Sequence, residues 1–196
     1  LYINGHVTGN SPYLTFEWKT DNESKYHEVQ TRLIGEYNFP NALAAVTIGH
    51  FFGVEPEKID KALAGYTPQN NRSQLKKTAD NTLIIDAYNA NPTSMMASIS
   101  NFRNMQAENK MLILGDMREL GKDSADEHQK IADYLEECGF KDVVLVGELF
   151  AATRHSYQSY PDVTALAELQ REKPCGKTIL IKGSNGIKLS SVVEYL

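Results

Sequence analysis

Polar and glycine residues gather at the ends of short apolar runs along residues 79–196. Asp86, Tyr88, Asn89 and Asn91 stand at and just beyond TLIIDAY (82–88). Gly115, Asp116, Arg118 and Glu119 do so for MLILGDM (111–117), and Gly147 and Glu148 for VVLVG (143–147). Lys182, Gly183, Ser184, Asn185 and Gly186 close TILIKG (178–183). Carboxylates there can accept from ribose hydroxyls or bind a cation, amides can donate to carbonyl or carboxylate oxygens, and Lys182 can stabilise an anion. Asp, Asn and Gly also populate turns for local reasons, so each residue singly has a turn-forming reading. The set on one rim points to function.

Other candidate motifs fail on spacing. Gly176-Lys177-Thr178 resembles the end of a phosphate loop, but Arg171 stands where the first glycine is needed, and the triplet precedes an apolar run instead of following one. No segment fits G-x-G-x-x-G. The histidines at 6, 27, 50, 128 and 155 lack zinc-ligand spacing, and no Ser-His-Asp set can be read from the order. Cys138 and Cys175 are too few for a disulfide framework and read as two reduced thiols.

The elements that position the rim follow from periodicity. Helical patterns at Pro92–Met105, Asp126–Cys138, Leu149–His155 and Thr164–Lys173 alternate with the apolar runs, and a weak strand is expected near Tyr157–Tyr160. Asn91 can cap the first of these helices, with Pro92 in its first turn. A final helix is expected from Ser190 to Leu196. This alternation predicts an α/β fold with a parallel sheet covered on both faces, whose sites lie beyond the carboxyl ends of the strands.

Upstream, Tyr13–Trp18 and Val29–Ile34 read as strands. NALAAVTIGHFFG (41–53) has apolar residues too dense for one stripe, so a buried helix is expected. A second helix follows over about 55–65, with Pro56 in its first turn. TPQNNRSQ (67–74) is the linker candidate.

The composition is 41% hydrophobic and 23% charged, enough for a packed core. Twenty basic against 25 acidic residues give a net charge of −5, which argues against a general nucleic-acid binder. The charge is balanced over residues 1–78 and acidic thereafter. No apolar run is long enough for a membrane helix, and the start carries no signal-peptide pattern. A cytoplasmic protein without membrane insertion is expected. The chain lacks an initial Met, so it is expected to be part of a longer one.

IIDAYNANPTSM (84–95), LGDMRELG (114–121) and IKGSNGIKL (181–189) occur in that order, preceded by YNFPNALAA (37–45) and Arg72. Together they resemble the Mur ligases of peptidoglycan synthesis, over a stretch from about Gly35 to the end. The resemblance implies that residues 1–78 are the tail of a central ATP-binding domain, strands plus two helices. Residues 79–196 would then be a Rossmann-like C-terminal domain. It implies use of ATP and Mg²⁺ to phosphorylate a peptide carboxylate, and attack of an amine on the acyl phosphate. The first two strings point to the branch that joins D-Ala-D-Ala to UDP-MurNAc-tripeptide.

Carried over onto this chain, the resemblance implies that Asn38 and Asn41 contact adenine, with helix capping as the alternative for Asn38. Arg72 would reach the nucleotide phosphates, Asp86 would bind ribose, and Tyr88 would line the nucleotide. Asn89 and Asn91 would line the dipeptide side, with helix capping as the alternative for Asn91. Asp116 and Glu119 would face the cleft and orient the dipeptide amine, and Lys182 and Ser184 would contact substrates.

The departures are Tyr37 for His, Asn70-Asn71 for Pro-Gly, Ala87 for Asp and Asn185 for Arg. The family's phosphate loop, its metal-binding positions, its carbamylated lysine and its UDP-sugar domain have no counterpart here. The chain is therefore expected to be inactive alone. Two alternatives stay open at this point: a self-sufficient nucleotide- or ligand-binding module, and a branch that adds a single amino acid.

Overall fold

The computed structural model describes residues 2–69, 71–163 and 171–196. Most of the helix expected at Thr164–Lys173 lies outside them. The chain divides into two compact units, Leu1–Pro68 and Gln69–Leu196. The division falls inside the expected linker, ahead of 78/79.

In the first unit, β1 (Ile3–Asn10), β2 (Tyr13–Thr20) and β3 (His27–Ile34) form an antiparallel sheet in that order. Sequence analysis places no strand before Tyr13, because Asn4, Gly5, Gly9 and Asn10 dilute the β pattern of β1. In β2 the alternation is strict: Leu14, Phe16, Trp18 and Thr20 are buried, and the residues between them are half-buried. The buried face packs on α1 (Phe39–Phe51) and α2 (Pro56–Gly65), through Ala42, Val46 and Ile59.

The expectation of a fully buried α1 does not hold. Only Ala42 and Val46 are buried on it, Ile48 and Phe51 are 59% and 76% exposed, and Phe52, which caps its end, is 76% exposed. A helix laid against one sheet face can bury only one stripe, so the apolar residues on its other sides stay outside this unit's core.

A polar network is built on that core. The His27 ring stacks on Trp18 at 4.7 Å, and Trp18 Nε1 donates to Asp60 Oδ1 at 2.7 Å. His27 Nδ1 lies 3.1 Å from Asp60 Oδ2, and Nε2 lies 3.2 Å from Glu23 Oε1. Burial pushes the His27 pKa down. The hydrogen bonds that the ring donates to Glu23 and Asp60, with the charges of both carboxylates, outweigh it and raise the pKa above 6.5. A raised folded-state pKa contributes stability below the unfolded value, and that contribution fades as pH rises through the folded one. His27→Gln should therefore cost more stability at about pH 6 than at about pH 9. Urea titrations read on Trp18 fluorescence test this, and an equal loss at both pH values would contradict it.

The second unit holds a six-stranded sheet. Its strands are β4 (Gln74–Lys77), β5 (Thr82–Asp86), β6 (Lys110–Gly115), β7 (Val143–Val146), β8 (Gln158–Tyr160) and β9 (Thr178–Lys182), in the order β4-β5-β9-β6-β7-β8. All pairs are parallel except β4 with β5. Strand β4 lies at the end of the expected linker. Two lysines and a glutamine among its four residues hide it from pattern reading and suit an edge position.

The central strands are buried on both faces, as their unbroken apolar runs require. Leu83, Ile85, Met111, Ile113, Ile179 and Ile181 pack on Leu189, Val192 and Leu196. The alternate residues Ile84, Leu112, Leu114 and Leu180 are equally buried and point to the opposite face. Between strands run α3 (Pro92–Asn104), α4 (Ser124–Glu137) and α5 (Glu148–Ala151). The α-helix expected from Ser190 is instead a 3₁₀ segment, Leu189–Glu194, preceded by another at Asn185–Ile187. Leu196 is tied down at its carbonyl by Thr78 Oγ1 and Asn81 Nδ2, each at 2.8 Å. Among the described residues no helix is long and apolar enough to cross a membrane. Cys138 and Cys175 are free thiols.

Candidate functional site

Strands β5, β9 and β6 are neighbours, and their carboxyl ends bring three loops together. Asp86 and Lys182 are register partners at the ends of β5 and β9. Lys182 Nζ donates to Asp86 Oδ2 at 2.6 Å and to the Asn89 carbonyl at 3.3 Å. Ser98 Oγ, from α3, donates to the same carboxylate oxygen at 3.2 Å, and the Ser73 amide donates to Oδ1 at 3.2 Å.

Lys182 is only 1% exposed. Expected to touch substrate, it instead lies beneath the rim as the counter-ion of Asp86. A buried ammonium needs a charge partner, and Asp86 and a carbonyl supply it. Asp86 is different. A carboxylate has about four acceptor positions. Three are used, and the side chain is 15% exposed, which leaves room for an incoming hydroxyl.

Tyr88 is 46% exposed, and the Arg72 guanidinium lies 3.7 Å over its ring centroid, an arrangement favoured by the negative ring face. Both expected nucleotide contacts are thus adjacent to Asp86 in chain or in space. Asn89 is exposed. Asn91 caps α3: its Oδ1 accepts from the Ser94 amide at 2.8 Å, and its own amide donates to Ser94 Oγ at 3.1 Å. The capping alternative is therefore what the Asn91 side chain does here.

The loop after β6 corrects a second expectation. Asp116 is buried, and its oxygens accept from the amides of Leu149 at 3.1 Å and Phe150 at 2.9 Å, at the start of α5. Unpaired amides at a helix start attract a carboxylate, which turns Asp116 inward. Glu119 remains the exposed carboxylate of this loop, with φ of 70°. Few residues other than glycine sit in that region, so the turn holds Glu119 in an uncommon backbone state.

Ser184 is also buried, and works between loops. Its Oγ accepts from the Arg118 amide at 2.8 Å, and its amide donates to the Asp116 carbonyl at 3.1 Å. The two loops touch at backbone level, since a Cβ at Gly183 would stand 2.9 Å from Gly115 Cα. Asn38 and Asn41 belong to the first unit. Asn38 Nδ2 donates to the Ile34 carbonyl at 2.8 Å, without capping α1, and Asn41 Nδ2 reaches Asn38 Oδ1 at 3.4 Å.

Sequence reasoning missed Ser73, Ser98 and His128. Ser98 had a signal: it shares a helical stripe with Met95, Ile99 and Phe102, where a polar group must find a partner. His128 is fully buried on α4. The Met117 amide donates to its Nε2 at 3.0 Å, and its Nδ1 donates to the Ser124 carbonyl at 2.6 Å. An amide can only donate, so Nε2 is unprotonated and the 3.8 Å approach to Asp116 is not an ion pair. His128 thereby supports the loop that carries Glu119. Nothing in its spacing reveals this, because its partners are backbone groups.

Residues 71–185, more than half of the chain, match the family profile described as "Mur ligase, glutamate ligase domain". The chain belongs to the Mur ligase family. It is 35% identical over 176 residues to the UDP-N-acetylmuramoyl-tripeptide–D-alanyl-D-alanine ligase of Bacillus subtilis, covering 84% of this chain and 38% of that protein. A crystal structure of MurF from Acinetobacter baumannii superposes with a TM-score of 0.78 at 27% identity, over 96% of this chain and 43% of that one. MurF of Thermotoga maritima, solved in complex with ADP, gives a TM-score of 0.80 at 16% identity, over 97% and 45%, and shows the shared fold. The chain thus spans about two fifths of the length of the relatives it matches.

Proposed function

We propose that this chain is part of an ATP-dependent carbon–nitrogen ligase that joins D-Ala-D-Ala to UDP-MurNAc-tripeptide. The Leu1–Pro68 unit would be the tail of the ATP-binding domain, and the Gln69–Leu196 unit the C-terminal domain. The observation that carries this reading is the 35% identity to a dipeptide-adding ligase over most of the chain.

The chemistry follows from the substrate. A carboxylate is a poor electrophile, so the γ-phosphoryl group of ATP is transferred to it, giving an acyl phosphate and ADP. The amine of D-Ala-D-Ala then attacks the acyl carbon, the C–O bond to phosphate breaks, and the amine loses its proton. Asp86 would accept from a ribose hydroxyl at its open position, held in place by Lys182, Ser98 and the Ser73 amide. Tyr88 would offer its exposed face to the nucleotide, and Arg72, lifted off that ring, would meet phosphate oxygens. Asn38 and Asn41 would contact adenine, and Asn89 and Glu119 the incoming dipeptide.

The fit to ATP rests on the unused Asp86 acceptor and the exposed ring beside it. Among the described residues no group of three His, Cys, Asp or Glu side chains is arranged to hold a metal ion. The Mg²⁺ that accompanies ATP would be held elsewhere in the whole ligase.

The test is kinetic, on the whole ligase with ATP, the tripeptide precursor and a panel of acceptors. D-Ala-D-Ala should be the preferred acceptor. Asp86→Asn should raise KM for ATP by about tenfold, the effect of a lost hydrogen bond to a charged group. Preference for a single amino acid would overturn the substrate assignment. An unchanged KM for ATP would overturn the ribose role.

A further inference from the structure

An acceptor with a free amine and a carboxyl terminus brings a negative charge into the site, and that charge needs a cation. The cations on this rim are not equally available. Lys182 is buried on Asp86, and Arg72 lies on the Tyr88 ring. The Gly183–Ile187 loop itself carries no charged residue, and the exposed Lys188 that follows it opens the next 3₁₀ segment. The exposed Arg118 guanidinium forms no ion pair and no hydrogen bond among the described residues, although Glu119 follows it directly in the chain.

Arg118 is nonetheless held in place. Its amide is fixed by Ser184 Oγ at 2.8 Å. Its side chain lies across the Ser184–Gly186 loop: a Cβ at Gly186 would stand 2.7 Å from Nη1, 3.1 Å from Cζ and 3.2 Å from Cδ. The absence of a side chain at 186 is what lets the guanidinium lie there. A guanidinium whose backbone is fixed and whose side chain rests against the Gly186 turn, with its donors unused, suits two-pronged binding of a carboxylate.

We infer that Arg118 binds the terminal carboxylate of the acceptor and selects acceptors that carry one. This rests on the reading of the protein as a ligase with a D-Ala-D-Ala acceptor. Glu119, the next residue, supplies an opposite charge to the same loop, so a zwitterionic acceptor meets both signs there.

The experiment measures KM on the whole ligase for D-Ala-D-Ala, for its C-terminal amide and for ATP. The unmodified enzyme should favour the free acid over the amide by about 10–100-fold, the scale of charge-assisted hydrogen bonds. Arg118→Gln should raise KM for the free acid by a similar factor and leave KM for the amide and for ATP within about twofold. Arg118→Lys, which keeps the charge but not the fork, should fall between. Gly186→Ala pushes only the end of a flexible side chain, so it should fold normally and shift the same KM in the same direction. Lys122→Gln removes a charge from the same stretch of chain and should change nothing.

Equal loss for acid and amide, an effect on ATP instead, or no effect of Arg118→Gln and Gly186→Ala would each overturn the assignment. Should Arg118→Gln fail to fold, judged by its thermal melt, Arg118→Lys and Gly186→Ala decide the matter by the same criteria. An enzyme that rejects D-Ala-D-Ala but uses another acceptor fails the parent reading alone. The same measurements on that acceptor and its amide then decide the role of Arg118.

Discussion

Lys182→Met should destabilise the Gln69–Leu196 unit by about 3–5 kcal/mol, the usual cost of removing one partner from a buried ion pair. The methionine fills nearly the same volume, so packing is not the source of the loss. What remains, among the described residues, is a carboxylate at the end of β5 with only Ser98 and the Ser73 amide as donors. The Asn89 carbonyl also loses its donor. Replacing both charges with Asp86→Asn and Lys182→Met together should restore most of the stability, because a neutral pair carries no unpaired charge. Urea denaturation of the four proteins, read by circular dichroism, checks this. A double variant as unstable as the sum of the singles would show that the pair is not what holds the two strand ends together. On the proposed ribose role of Asp86, Lys182→Met should also weaken ATP binding in the whole protein, since it removes a group that orients Asp86.

The second large effect belongs to the first unit. Trp18→Ala should cost about 3–5 kcal/mol, as the loss of a large, fully buried ring usually does. Trp18 stands in the middle of the apolar face of β2, stacks on His27 and donates to Asp60. Trp18→Phe keeps most of the ring volume and drops the hydrogen bond, so its loss should be about 1–2 kcal/mol. Chemical denaturation followed by circular dichroism measures both, because Trp18 is the only tryptophan and its emission vanishes with it. Equal losses for the two variants would move the weight from packing to the Asp60 hydrogen bond.

Much of this architecture is legible along the chain. The runs around 82–88, 111–117, 143–147 and 178–183 read as buried parallel strands because both faces of each strand are covered, which leaves no polar alternation to confuse the pattern. Asn91 and Pro92 mark the start of α3 by local chemistry alone, and the capping bonds confirm that mark. The edge strand β4 was hidden because an edge tolerates lysines that a central strand would not. The exposed stripe of α1 was hidden for a related reason. Apolar density shows that a helix has apolar residues to bury, but not how many faces its neighbours cover.

The candidate site divides along the same line. Sequence alone determined which residues stand at the carboxyl ends of the strands, because strand ends follow from apolar runs and glycines, and both are local. It also marked Asp86, Asp116, Glu119 and Lys182 as the charges of that rim. Tertiary structure decided what each charge does. Asp116 turned inward because α5 starts with unpaired amides beside it. Lys182 sank beneath the rim because β9 is inserted between β5 and β6, next to Asp86. Arg118 stayed available because glycine at 186 let it lie across a loop whose Ser184, the partner of its amide, stands 66 residues further along the chain. Charge, burial and hydrogen bonding at these positions are set by neighbours distant in sequence, and only the assembled sheet brings those neighbours together.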